Sequence, residues 1–157
     1  MNEKSSILNI LIVSLDEQFA KAVSSALASK LDMFEASCKD LIEYDLINPK
    51  DVLDKCGLEY LKKRESKVVF NCSSYSNTII TIGFEYFKDY FMFFDKSLIL
   101  YLDLPDEKLV QPLNKIDYVD RTSFIKDKVD IIIELDDKNE DYTVNKIIKK
   151  LGENLWI

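Results

Sequence analysis

Residues 7–28 read ILNILIVSLDEQFAKAVSSALA, and the change of hydrophobic period inside this stretch decides the fold. Ile7 to Val13 is a nearly continuous apolar run, broken only by Asn9. Its length and its Val and Ile content suit a strand buried on both faces, as in a parallel sheet covered by helices. Beyond it Phe19, Val23, Ala26, Leu27 and Leu31 follow helical spacing, with Asp16 ahead of them as N-cap. Working outward, Lys67–Cys72, Leu98–Asp103 and Val129–Leu135 have the same strand character. Val52–Arg64 is expected to be helical, weakened or interrupted at Gly57, and Val144, Ile147, Ile148 and Leu151 mark a last helix ending at Gly152. Strands alternating with helices predict an α/β protein with right-handed crossovers.

The chain has 157 residues, enough for one domain spanning 1–157 and burying ~70% of its unfolded surface. With 3 Gly and 3 Pro, no Gly/Ser/Pro-rich linker divides it. Twenty-eight acids against 21 bases give a net charge of −7, which argues against nucleic acid and anionic membranes as partners. The absence of His removes Ser/His and Cys/His dyads, His-ligated zinc and an imidazole pH switch. Cys38, Cys56 and Cys72 form no CxxC pair and read as reduced thiols, which points to the cytoplasm. The run from Ile7 is too short to span a membrane, and Phe84–Leu102 is interrupted by Glu85, Lys88, Asp89, Asp95 and Lys96.

The segment Phe84–Phe94, FEYFKDYFMFF, is the most unusual in composition. As a helix it places Phe84, Phe87, Phe91 and Phe94 on one face and Tyr86, Tyr90 and Phe93 on another. One face can line the core; the other asks for a partner or a covering loop. The preferred reading is a core helix whose tyrosine hydroxyls reach solvent, and the alternative is a homo-oligomer interface through Phe84–Phe94.

Several pieces occur in a particular order: a strand ending at Val13, the loop Ser14–Phe19, a helix through Ala26-Leu27-Ala28, then Asp40-Leu41-Ile42-Glu43. Gly57-Leu58-Glu59-Tyr60-Leu61-Lys62-Lys63-Arg64-Glu65 comes next, then Val68-Val69, the run Leu98–Leu109, Arg121, Asp130 and the helix Val144–Leu151. In this order and spacing the chain resembles shikimate kinase over nearly its whole length. The resemblance implies a five-stranded parallel sheet of order 2-3-1-4-5 flanked by helices, as in P-loop kinases.

The departures from that family lie at its working residues. A GxxxxGK[ST] loop needs glycines to turn its backbone N–H groups onto phosphates, a Lys for the β/γ oxygens and a hydroxyl for Mg²⁺. The resemblance puts Ser14 and Phe19 at the two glycines, Ala20 at the lysine and Lys21 at the hydroxyl, a vestigial phosphate loop. Sliding by one residue makes Lys21 the lysine, but Leu15 and Ala20 then replace glycines and Ala22 cannot hold Mg²⁺. In either register Asp16 and Glu17 lie where a polyphosphate should sit.

On the substrate side the family's acidic pair falls on Ser37 and Lys39, its arginine on Lys62, and the glycine triplet after its third strand on Cys72-Ser73-Ser74. Arg121 alone looks intact as a carboxylate-binding residue, unless it merely pairs with Asp117 or Asp120. In the lid, Gln111 stands before Pro112-Leu113 in place of the arginine, and the stretch from Asp103 to Arg121 is too short for the family's lid and following helix.

The expected reading is an inactive, shikimate-kinase-like binding or regulatory module, without catalytic residues, metal or cofactor. Its old pocket is closed or holds a small anionic ligand between Lys62, Ser73, Ser74 and Arg121. The enzyme alternative is a shikimate kinase using ATP and Mg²⁺ on the shikimate 3-hydroxyl. The lesser alternative is a response-regulator receiver, which the start Leu11–Ala20 also resembles; it requires a phosphoacceptor Asp ending the third strand, where Asn71-Cys72 stands.

Overall fold

The computed structural model describes residues 7–153. Five strands form one all-parallel sheet: β1 (Asn9–Ser14), β2 (Phe34–Ser37), β3 (Thr78–Ile82), β4 (Ser97–Asp103) and β5 (Ile131–Glu134). They are ordered β2-β3-β1-β4-β5. This is the order expected above. A receiver has the order 2-1-3-4-5, so that alternative is set aside by topology.

Side chains alternate across the pleat and feed two cores. Ile10 and Ile12 of β1, with Leu98, Leu100 and Leu102 of β4, pack beneath α1 (Glu17–Leu31) and α7 (Glu140–Glu153). Leu11 and Val13, with Ile80, Ile82, Ile99 and Tyr101, face the other helices: α2 (Cys38–Leu46), α4 (Leu58–Ser73), α5 (Phe84–Tyr90) and α6 (Lys115–Lys128). Every residue of β1 is buried, which is why it reads as an uninterrupted apolar run. A short helix, α3 (Pro49–Cys56), connects α2 to α4 and buries no residue fully. Gly57, at φ 88°, separates α3 from α4, as its place in the sequence predicts.

Three expectations change. Lys67–Cys72 is the end of α4 and not a strand: Leu61, Glu65, Val69 and Cys72 form one buried helical stripe. The third strand is Thr78–Ile82, so Cys72-Ser73-Ser74 does not follow it; Gly83-Phe84-Glu85 does. Gly152 lies within α7 instead of ending it. The remaining strand limits shift by a residue or two, the first from Ile7–Val13 to Asn9–Ser14.

The aromatic segment is α5 followed by a 3₁₀ turn, Phe91–Phe94. Phe87, Tyr90 and Phe94 are buried, Phe93 stacks on Tyr90 at 5.7 Å between centroids, and Phe84, Phe87 and Phe91 all meet the edge of Phe124 on α6. Both of its faces are therefore largely taken up inside the fold. No helix among the described residues is long and apolar enough to cross a membrane.

Candidate functional site

In an open parallel sheet, ligand sites form beyond the carboxyl ends of the strands, where neighbouring strands connect in opposite directions. Here that point is the end of β1, between β3 and β4. Only Leu15 and Asp16 separate β1 from α1, so most of the segment expected to be a vestigial phosphate loop is wound into helix. Ser14 is buried and its hydroxyl accepts the Asp16 backbone N–H at 3.0 Å, tightening the turn. Phe19 and Ala20 are buried in the core under α1. Lys21 turns away toward α2 and donates to Asp40 at 2.7 Å, a contact that raises the lysine pKa.

Asp16 takes the position that an anion would want. Its Oδ1 accepts the Phe19 N–H at 3.1 Å, capping α1, and its Oδ2 lies 3.1 Å from Lys138 Nζ. The Asp16 side chain is only 2% exposed. Lys138 comes from the segment between β5 and α7, so the positive end of the helix and the nearest ammonium are both satisfied by the chain's own carboxylate.

Glu17 fills the neighbouring space. Its carboxylate rests on Gly83, where a β-carbon would overlap Oε2, so the glycine after β3 gives close approach to a side chain of the same protein. Glu17 Oε1 is buried without a hydrogen-bond partner. Burial raises the Glu17 pKa, against the opposing pull of Lys39 and Lys21. Close by, burial and the charges of Glu65, Glu17 and Glu43 push the Tyr86 phenol up to about 12.

A raised carboxyl pKa means that the folded chain holds the proton more tightly than the unfolded one. Its stabilising share is complete below the unfolded pKa and is lost as pH rises through the folded value. Glu17→Gln is accordingly expected to raise the melting temperature at pH 7.5 by ~1–2 °C, about 0.5 kcal/mol after solvent screening of a half-exposed group, and to change it little at pH 4. Parallel pH–melting curves for the two proteins would contradict this account of Glu17.

Leu109–Asn114 closes the other side. Leu109 is buried, the Leu113 N–H donates to Asp106 at 2.9 Å and Tyr118 donates to the Leu104 carbonyl at 2.6 Å, pinning this connection down. Between it and the β1–α1 turn lies a cleft of about 420 Å³, lined by Leu15–Gln18, Leu109–Leu113 and Arg121. Gln111 faces this cleft where the resemblance calls for an arginine.

The four residues expected to form an anion pocket are not brought together. Arg121 stands at the carboxyl end of the sheet, 3.6 Å from Glu85 and stacked over Phe84 at 4.8 Å; its partner is Glu85 and not Asp117 or Asp120. Ser73 and Ser74 lie at the opposite end, where the Ser73 carbonyl accepts from Asn9 at the start of β1 and the Ser73 hydroxyl donates to Phe70. Lys62, on α4, is held by Asp89 at 3.2 Å and Glu65 at 3.5 Å. Burial lowers the Lys62 pKa, but these partners outweigh it and raise the pKa overall. The position of the third strand is the cause: with β3 at Thr78–Ile82, Ser73 and Ser74 precede it, at the amino end of the sheet. Ser37, at the family's acid position, caps α2 through the Asp40 N–H.

Sequence reasoning missed Lys138, Glu85 and Gly83. Gly83 carried a usable signal, standing directly after the β-branched run Thr78–Ile82. Nothing local joins Lys138 to Asp16, 122 residues away.

A scan against protein-family models and a search of the curated proteins find no match. Among solved structures, the shikimate kinase of Aquifex aeolicus superposes with a TM-score of 0.74 at 18% identity, covering 94% of this chain and 98% of that one. The shikimate kinase of Acinetobacter baumannii, solved in complex with shikimate, gives 0.72 at 17% identity and 96% of each chain. That of Bacteroides thetaiotaomicron gives 0.69 at 13% identity, over 96% of this chain and 99% of the other. Superposition over 94–96% of the chain, the parallel order β2-β3-β1-β4-β5 and the flanking helices together establish that this chain has the P-loop kinase fold in the form found in shikimate kinases.

Proposed function

We propose that this chain is a shikimate-kinase-like protein that does not transfer phosphoryl groups and acts as a binding or regulatory module. The observation that carries the reading is the Asp16 carboxylate, buried at the N-terminus of α1 and paired with Lys138. Phosphoryl transfer rests on positioning and charge stabilisation, and a nucleotide's terminal phosphates need that place. Admitting them requires expelling Asp16, breaking its cap and leaving two like charges to repel, ~1–4 kcal/mol per charge pair at close range. Lys21 does not compensate, since its ammonium is paired with Asp40 of α2 at 2.7 Å. A cleft is retained beside this turn, but Asp16 and Glu17 line it and its Arg121 already faces Glu85 at 3.6 Å, so it offers an anionic ligand no unpaired cation.

Titration calorimetry with ATP and Mg²⁺ is expected to give no heat of binding, and thermal melts with ATP, Mg²⁺ and shikimate together no nucleotide-dependent shift. Micromolar, Mg²⁺-dependent uptake of ATP would overturn the reading and restore the shikimate kinase alternative.

A further inference from the structure

Cys38 and Cys72 face each other across the interface of α2 and α4, their sulfurs 4.0 Å apart, with the Cys38 thiol donating to the Cys72 sulfur. Both are fully buried. They are 34 residues apart in sequence, and among the described residues no group of His, Cys, Asp and Glu is arranged to hold a metal ion. The third thiol, Cys56, is exposed on α3. Two apposed thiols in an apolar interface do not need to be cysteines for packing, since small apolar side chains would fill the same space.

We propose that Cys38 and Cys72 are a redox modification site, joined by a reversible intramolecular disulfide that ties α2 to α4. Bonding requires the sulfurs to close from 4.0 Å to about 2.05 Å, a movement of about 2 Å that side-chain rotation and a shift of α2 would have to supply.

Access comes through the segment that follows α2. Helix α3 buries no residue fully, and Ile47, which joins α2 to it, is a β-branched residue held at φ 61°. Such a backbone is strained and favours local opening there. Cys38 is the first residue of α2, directly after the Ser37 N-cap. When α2 moves off as a unit, the helix N-terminus favours the Cys38 thiolate. In the closed form, the contact with Cys72 and burial hold the Cys38 pKa well up, so the pair is inert until it opens.

The oxidant is a hydroperoxide. The Cys38 thiolate attacks one peroxide oxygen, the O–O bond breaks and, with hydrogen peroxide, hydroxide leaves to give a sulfenic acid. The Cys72 thiolate then attacks that sulfur, the S–O bond breaks and a second hydroxide leaves. The two thiol protons neutralise the two hydroxides, so two thiols and one hydrogen peroxide give one disulfide and two waters. A dithiol reverses the step by exchange.

The test uses the reduced full chain, treated with millimolar hydrogen peroxide and then denatured in an alkylating agent. Intact mass is expected to show a bridge, a loss of about 2 Da, with one alkylated thiol left of the 3 cysteines. Digestion should recover the Cys38–Cys72 cross-link, also in Cys56→Ser, and dithiothreitol should remove it. The bridged form should melt ~5–10 °C higher than the reduced form, because the closed loop restricts the unfolded chain. Three alkylated thiols after hours of treatment, sulfinic acid at either position, or cross-links through Cys56 would each overturn the proposal.

Discussion

Replacement of Asp16 by alanine is expected to lower stability by about 2 kcal/mol, a fall of ~4–8 °C in melting temperature for a chain of this size. Two contributions add. Loss of the carboxylate removes the α1 cap on the Phe19 N–H, worth ~1 kcal/mol. It also leaves Lys138 without its partner, but that side chain is 33% exposed and can rehydrate, so the loss stays near ~1 kcal/mol, well short of the ~3–5 kcal/mol of a sealed ion pair. Asp16→Asn separates the two, since asparagine caps well but carries no charge, and about half of the loss should return. A double-mutant cycle with Lys138→Met isolates the pair. An Asp16→Ala protein as stable as the wild type would remove the basis for treating this carboxylate as the resident anion of the turn.

The same carboxylate shows how this turn differs from a phosphate loop. A phosphate loop leaves helix-terminal donors free for a ligand, with glycine providing the room. Here the helix begins at Glu17, with two residues between it and the strand, and the chain supplies its own acceptor. Glu17 then uses the space above Gly83, which directly follows β3, the strand beside β1. Two successive acidic residues thus fill two adjoining positions at the centre of the sheet edge. One is well paired; the other keeps an unpartnered oxygen in a half-buried setting.

What could be read from sequence follows the strength of each local signal. Strands β1 and β4 lie at the centre of the sheet, and their burial on both faces leaves a long apolar run. The edge strand β2 is four residues long with Phe34 71% exposed, so it shows neither a run nor an alternation. The error at Lys67–Cys72 has a definite cause. Glu65 lies on the buried stripe of α4, accepting from the Tyr90 hydroxyl and pairing with Lys62. A charge on the inner face masks the helical period, so the apolar run beyond it reads as a separate strand. That single misreading moved Ser73 and Ser74 to the wrong end of the sheet. The missing glycines and the acids of the first turn were legible because they are local; the Lys138 pairing, made only by folding, was not.

Phe87→Ala is expected to be the more damaging change, at ~4 kcal/mol or roughly 8–16 °C in melting temperature. Its ring is fully buried between α5 and α6, 6.0 Å from Phe91 and 6.3 Å from Phe124, in the same core as Tyr101 and Ile125. Truncation removes most of a phenyl group from a site walled by other rings, which cannot collapse without losing their edge contacts. Phe87→Leu keeps part of the volume and should cost ~1–2 kcal/mol, preserving a folded protein for comparison if the alanine variant unfolds. Met92 is 55% exposed on the same segment and makes the contrast, since Met92→Glu should shift stability by no more than ~0.5 kcal/mol. Light scattering of Met92→Glu and the wild type across a concentration series is expected to give the same mass at each concentration. A mass that falls on Met92→Glu, or an unaltered melt for Phe87→Ala, would reverse the assignment and make the aromatic segment an interface between copies of the chain.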